Sequence, residues 1–317
     1  MPSFAQTHLR DLAATQPTMI YLDTSTATTW LYIAEHGDVP TVGQTTAPAN
    51  GGRILRYNLT SGATTPQVVA TRGTGPGQFI SPDGLVMNAT GQLFVADRFL
   101  NRVEELSIDA TTGVGTRING FGTATAGASE MHGPIGLARD AAGAIYVSEH
   151  GEGNPGTGGN MVSKWAFVSG AWARQWRVSG DPTPGETTLG FKTPYGIAVS
   201  GSNVYVSDGF HYRVQVLNAT TGAHVSNWDV GAAGSIIPLG LSLDGTNLWV
   251  AEATGNSGGT QRVTRRNLSG VTDLTLGTPG PGPLQFALPF HAVRNAATDR
   301  LYVADYNNNR VQEINLA

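Results

Sequence analysis

The chain has 317 residues, 13% of them charged, and a formal net charge of −4, so its charge balance favours neither nucleic acid nor an anionic membrane. It has no cysteine, which excludes disulfides and thiolate metal sites. No apolar run approaches the roughly 18–20 residues that span a bilayer, while 42 glycines and 17 prolines supply the turns that many short strands need.

The first residues, MPSFAQTHLRDLAATQP, carry neither a charged n-region nor an apolar h-region, so they do not read as a signal peptide. From Pro17 onward the chain repeats. A proline opens an inner strand and an acid closes the strand that follows: Pro17…Glu35, Pro82…Asp97, Pro134…Glu149, Pro194…Asp208, Pro238…Glu252 and Pro289…Asp305. Each proline precedes an apolar run such as Gly196-Ile-Ala-Val199, then a turn such as Asp140-Ala-Ala-Gly143. An alternating strand then leads to the acid, as in Leu93-Phe-Val-Ala-Asp97 and Leu301-Tyr-Val-Ala-Asp305. A third strand follows, usually begun by Arg, and a Gly/Thr-rich segment supplies a fourth.

Six such units of 44 to 65 residues predict an all-β protein, a six-bladed β-propeller of four-stranded blades forming a single domain over 1–317. The last unit stops after its third strand. Its outer strand is therefore expected from the N-terminal residues around His8–Leu12, which would close the ring and remove its free edges.

Within the repeat, P-x-G, a strand ending in Asp, and N-x-R-[IV] recur, most fully in YVADYNNNRVQEI (302–314). This pattern resembles the NHL repeat family across all six units, and the resemblance implies a propeller without specifying an activity.

Residues common to the units are expected to serve the fold. Asp97/Arg102, Asp208/Arg213 and Asp305/Arg310 share one spacing across a tight turn, where a carboxylate and a guanidinium would clamp the second strand to the third. The aromatic residues three places before the acids (Tyr32, Phe94, Tyr146, Tyr205, Trp249, Tyr302) read as core, as do Phe79, Phe191 and Phe286.

Residues that break the repeat are the candidates for function. Units two, four and six end in Asp and turn tightly; units one, three and five end in Glu and carry longer glycine-rich loops at 34–54, 148–162 and 251–263. Those loops rise on the face of the strand-opening prolines and should wall a pocket at the mouth of the central channel. Five of the seven histidines fall at or near that face: His36, His132, His150, His211 and His291, the last replacing a glycine found in four other units. Imidazoles and carboxylates converging there could bind a divalent ion such as Zn²⁺ or Ca²⁺, and His36, His150, His211, His291 and Asp83 are the candidate ligands.

Two families similar to NHL propellers refine the expectation. In amidating lyases a zinc-binding His directly follows the strand-opening proline; here those places hold Thr18, Asp83, Ile135, Tyr195, Leu239 and Phe290. The gluconolactonase/paraoxonase group binds calcium through acidic and Asn side chains at inner-strand starts, often as P-D-G, which Pro82-Asp83-Gly84 resembles.

The expected function is a metal-assisted hydrolase or lyase acting on a small molecule at the mouth. His150 and His291 would hold the metal or act as base, Glu149 or Glu35 would orient the imidazoles, and Arg98 and Tyr195 would meet an anionic substrate. The alternative is a recognition module, without catalysis, for a sugar, peptide or protein. No organic cofactor, nucleic acid or membrane partner is indicated, and a monomer is expected.

Overall fold

The structure, a computed structural model, describes residues 6–36, 51–151, 160–179, 190–231, 235–254 and 259–317. Six antiparallel four-stranded sheets form its blades. The inner strands are Pro17–Asp23, Pro82–Met87, Pro134–Arg139, Pro194–Ser200, Ile237–Asp244 and Pro289–Asn295. Each packs against the inner strands of its two neighbours, blade 6 returning onto blade 1, so the sheets form a β-propeller. The last sheet takes its outer strand, Thr7–Ala13, from the N-terminus; it pairs with Arg310–Asn315 and closes the ring as the sequence predicts. Among the described residues no helix is long and apolar enough to cross a membrane.

Every strand-opening proline lies directly opposite its acid in the ladder. A proline has no N–H to offer, so it suits the first residue of a strand. The carboxylate takes over by accepting the N–H two residues earlier. Thr15 donates to Glu35 (2.7 Å), Ile80 to Asp97 (2.9 Å), His132 to Glu149 (2.9 Å), Lys192 to Asp208 (2.6 Å) and Ala287 to Asp305 (2.8 Å).

Guanidinium groups complete most of these latches, at Asp208–Arg213 (2.9 Å), Asp305–Arg310 (2.9 Å), Glu35–Arg53 (2.6 Å) and Glu252–Arg262 (2.7 Å). The expected Asp97–Arg102 clamp does not form. Where blades 4 and 6 place Gln215 and Gln312, which donate to the acid, blade 2 places Glu104. Glu104 draws Arg102 (3.2 Å) and Arg117 (3.1 Å) to itself. Asp97 is satisfied instead by backbone N–H groups, those of Phe99 and Leu100 among them.

The core is radial. Each interface between blades holds a buried cluster, and each of the six recurring aromatics (Tyr32, Phe94, Tyr146, Tyr205, Trp249, Tyr302) anchors a different one, none more than 3% exposed. Burial of an aromatic of this size contributes on the order of 2–3 kcal/mol, so the interfaces hold the ring shut.

Two tests follow from this packing. Deleting residues 1–14 removes the strand that pairs with Arg310–Asn315 and exposes an edge; the melting temperature should fall by about 10 °C or more, and an unchanged melt would refute closure by this strand. Asp208→Asn leaves Arg213 buried beside a neutral amide; denaturant titration should show a loss of about 3 kcal/mol, with ligand binding at the mouth retained.

Candidate functional site

The proline–acid pairing sets up two rows at the channel mouth, one residue after each proline and one after each acid. The first row is Thr18, Asp83, Ile135, Tyr195, Leu239 and Phe290; the second is His36, Arg98, His150, Gly209, Ala253 and Tyr306. Their polar and aromatic members touch in sequence around the ring. Arg98 Nη2 lies 3.3 Å from His150 Nδ1, and the His150 ring lies 5.3 Å from Tyr195. Tyr195 meets Phe290 edge-on at 5.8 Å, Phe290 meets Tyr306 at 5.9 Å, and Tyr306 meets His36 at 6.1 Å. His36 Nδ1 closes the circuit against Ser81 Oγ (3.0 Å) and Asp83 Oδ1 (3.5 Å). Gly209 has to be small here, because a Cβ would press on the Tyr195 ring at 2.9 Å.

Asp83 is 1% exposed, and its Oδ2 has no hydrogen-bond partner among the described residues. A guanidinium has only donors, so His150 Nδ1 accepts from Arg98 and the ring proton sits on Nε2. Burial, and then the Arg98 charge, depress the His150 pKa to about 3, so this imidazole is neutral at physiological pH. Burial likewise raises the Tyr195 phenol, with Arg98 and Asp83 acting on it in opposite senses. Among the described residues the Arg98 cation and the Asp83 carboxylate therefore share the mouth with the neutral rings of His150 and Tyr195. Ser81 and Asp83 both approach the same nitrogen of His36, whereas a Ser–His–Asp relay needs them on opposite nitrogens.

The structure thus brings together His36, Asp83, Arg98, His150 and Tyr195. It separates the other candidates. Glu149 is fully buried, and its oxygens accept from His132 N and Ser163 Oγ (2.7 Å), so it latches blade 3 and does not orient His150. Glu35 is likewise committed to Thr15 N and Arg53. His211 Nδ1 donates to Asp208 (2.9 Å), the task that Asn308 performs for Asp305 in blade 6, and is a turn residue. His132 is bound by Glu130 at 2.8 Å. Tyr306 and Phe290 join the site unforeseen; Tyr306 stands one place after its acid, as His36 and His150 do, and that alignment was the available signal.

His291 lies inside the channel. Gly84, Gly136, Gly196 and Gly240 line a row where a Cβ would collide with the neighbouring blade's backbone, at Ile135, Tyr195, Leu241 and Phe290 respectively. At the same place in blade 6, the His291 ring bridges its neighbours. Nε2 donates to Leu241 O of blade 5 (3.0 Å), and Nδ1 accepts from Ile20 N of blade 1 (3.4 Å). Both nitrogens are used, and burial lowers its pKa to about 4, so it is neither a metal ligand nor a base at the mouth. Beneath this row the channel holds a cavity of about 580 Å³, lined by Ile20, Leu85, Leu137, Ile197, Leu241 and their neighbours.

A divalent metal centre needs at least three converging protein ligands. Among the described residues no three His, Asp or Glu side chains converge on one point. His36 and Asp83 supply a pair, while His150 faces a guanidinium, which a cation site would not tolerate. These residues do not fit a Zn²⁺ or Ca²⁺ centre. The long loops expected to wall the mouth fall mostly at 37–50, 152–159 and 255–258, outside the described residues.

Comparison with known proteins places the architecture. The fold is similar to that of a gluconolactonase from Xanthomonas campestris, described as important in glucose secondary metabolic pathways. The two share 15% identity over 97% of this chain and 98% of that one, with a TM-score of 0.58. At that identity the likeness shows the fold alone. No family model and no curated protein matches the chain, and the resemblance to the NHL repeat rests on its motifs.

The bridge made by His291 predicts a pH effect. Its folded pKa of about 4 lies below the ordinary 6.5, so the unfolded chain takes up a proton first as the medium acidifies. The stability it contributes is complete above pH 6.5 and is lost as pH falls toward 4, by about 3 kcal/mol. Buried carboxylates such as Glu149, raised by desolvation, act in the opposite sense, so the comparison must be with a variant. His291→Gln retains a donor and an acceptor without titrating. Wild type should lose stability relative to it between pH 6.5 and 4 in denaturant titrations, and parallel curves would refute the bridge.

Proposed function

We propose that the channel mouth is the active site of a hydrolase acting on a small polar ester, with lactones the class to test first. The observation that carries this reading is the buried Asp83 carboxylate, with Oδ2 unpartnered among the described residues, sharing a mouth with the Arg98 cation. The likeness in fold to a gluconolactonase supports the choice of lactones.

The chemistry needs a base, an oxyanion site and a wall. Asp83 takes a proton from water as the water oxygen adds to the carbonyl carbon. Arg98 and the Tyr195 hydroxyl donate to the developing oxyanion. The ester C–O bond then breaks, and the departing oxygen recovers the proton from Asp83. Phe290 and Tyr306 cover the apolar face of the substrate, and neutral His150 holds Arg98 in place. No step needs a metal ion.

The test is a pH-stat assay of wild type, Asp83→Asn and Arg98→Gln on a panel of sugar lactones and simple esters, with and without added Ca²⁺ or chelator. Asp83→Asn should lower kcat by about 100-fold or more at unchanged melting temperature. Arg98→Gln should do the same, because its contact is made with the oxyanion. Wild type that binds these molecules without hydrolysing any of them would overturn the reading in favour of a recognition module.

A further inference from the structure

A second site lies away from the channel, where the repeat fails between blades 2 and 3. In each blade one residue of the third strand sits opposite the core aromatic: Arg56 opposite Tyr32, Glu105 opposite Phe94, Lys164 opposite Tyr146, Val216 opposite Tyr205, Arg265 opposite Trp249 and Glu313 opposite Tyr302. Where this residue is a long cation it fills or ties the gap. Arg56 donates to Asp109 O and Ala110 O of blade 2, and Lys164 to Ala219 O of blade 4. Arg265 pairs with Asp273, and Val216 packs in the core. Glu313 is an acid, but Arg10 and Arg300 neutralise it at 2.5 Å each.

Glu105 has neither solution. A carboxylate cannot donate to a carbonyl of blade 3, and among the described residues no arginine or lysine pairs with it. It is 8% exposed and lies beside the Trp172 indole, and burial raises its pKa. In the gap lies a cleft of about 770 Å³, lined by Glu105, Asn119, Phe167, Trp172 and Gln175. Phe167 and Trp172 stand at 65° with centroids 5.6 Å apart, forming two sides of an aromatic box, and Phe167 is 53% exposed.

We propose that the cleft between blades 2 and 3 binds a small organic cation with a flat apolar body, its ammonium paired with Glu105 and its body packed on Trp172 and Phe167. The charge takes the place that Arg10 and Arg300 hold for Glu313, and the rings add cation–π attraction. Arg139 and Lys164 also border the cleft. Lys164 is committed to Ala219 O and Asp140 (3.5 Å), and the Glu105→Gln variant separates the pull of Glu105 from the charge of Arg139.

Benzylamine and its neutral analogue benzyl alcohol are the probes, followed by tryptophan fluorescence and by NMR line broadening of the probe at pH 7.5. Benzylamine should bind at least 10-fold more tightly than benzyl alcohol, and Glu105→Gln should remove that preference. A Trp172→Leu variant should weaken both probes. Equal binding of the two probes to wild type, or no binding of benzylamine at millimolar concentration, overturns the proposal without reference to any variant. An undiminished preference in Glu105→Gln overturns it too.

Discussion

The structure depends on a carboxylate placed opposite a proline. The proline ends the backbone ladder because it has no N–H, and the acid resumes it by accepting the N–H two residues upstream in five of the blades. These carboxylates are buried to 1% exposure or less, where an uncompensated charge would be costly. Their bonds therefore act as a constraint: the segment entering each blade must sit against the end of its second strand. That constraint fixes the mouth. The residue after the proline and the residue after the acid lie at the same end of every blade, so twelve positions border one opening without any loop having to place them.

Glycine sets the second constraint. Four blades approach one another so closely at the third inner-strand residue that a Cβ has no room. In blades 6 and 1 the glycines give way to His291 and Met19, and a ring larger than a methyl group must be satisfied in the channel wall. The imidazole meets this by donating to blade 5 and accepting from blade 1, which joins three blades through one side chain. Its polarity serves the seam, and the mouth draws its own polar groups from elsewhere.

Much of this was legible in the sequence. The six proline–acid pairs are register partners, the recurring aromatics are the six interface anchors, and the N-terminal segment supplies the missing strand. The site was legible in part. His36, Asp83, Arg98, His150 and Tyr195 occupy equivalent repeat positions and do meet. His291 and His211 are only one or two residues from such positions, yet a strand alternates its side chains and a turn redirects them. One place along the chain therefore moved His291 below the mouth and two more bound His211 to Asp208. Glu149 illustrates a different limit: nothing in the motif Glu-His tells whether the acid faces the imidazole or the backbone behind it, and the latch claims it first.

The same logic separates blade 2 from the others. It alone carries an acid, Glu104, at the position where four other blades support the latch acid with an amide or hydroxyl, and like blade 6 it carries an acid, Glu105, opposite the core aromatic. Two consecutive acids on a strand point to opposite faces, so one substitution pattern disturbs both sides of the blade. On one face Glu104 captures Arg102 and Arg117 and leaves Asp97 to the backbone. On the other, Glu105 leaves a cleft that its neighbours close with cations. Asp83 and Arg98 belong to this blade as well. A propeller can tolerate one such blade because its core is divided among six interfaces, and the interfaces away from blade 2 retain their own buried clusters. The least regular blade is thus the one that contributes Asp83 and Arg98 to the mouth and Glu105 to the cleft beside it.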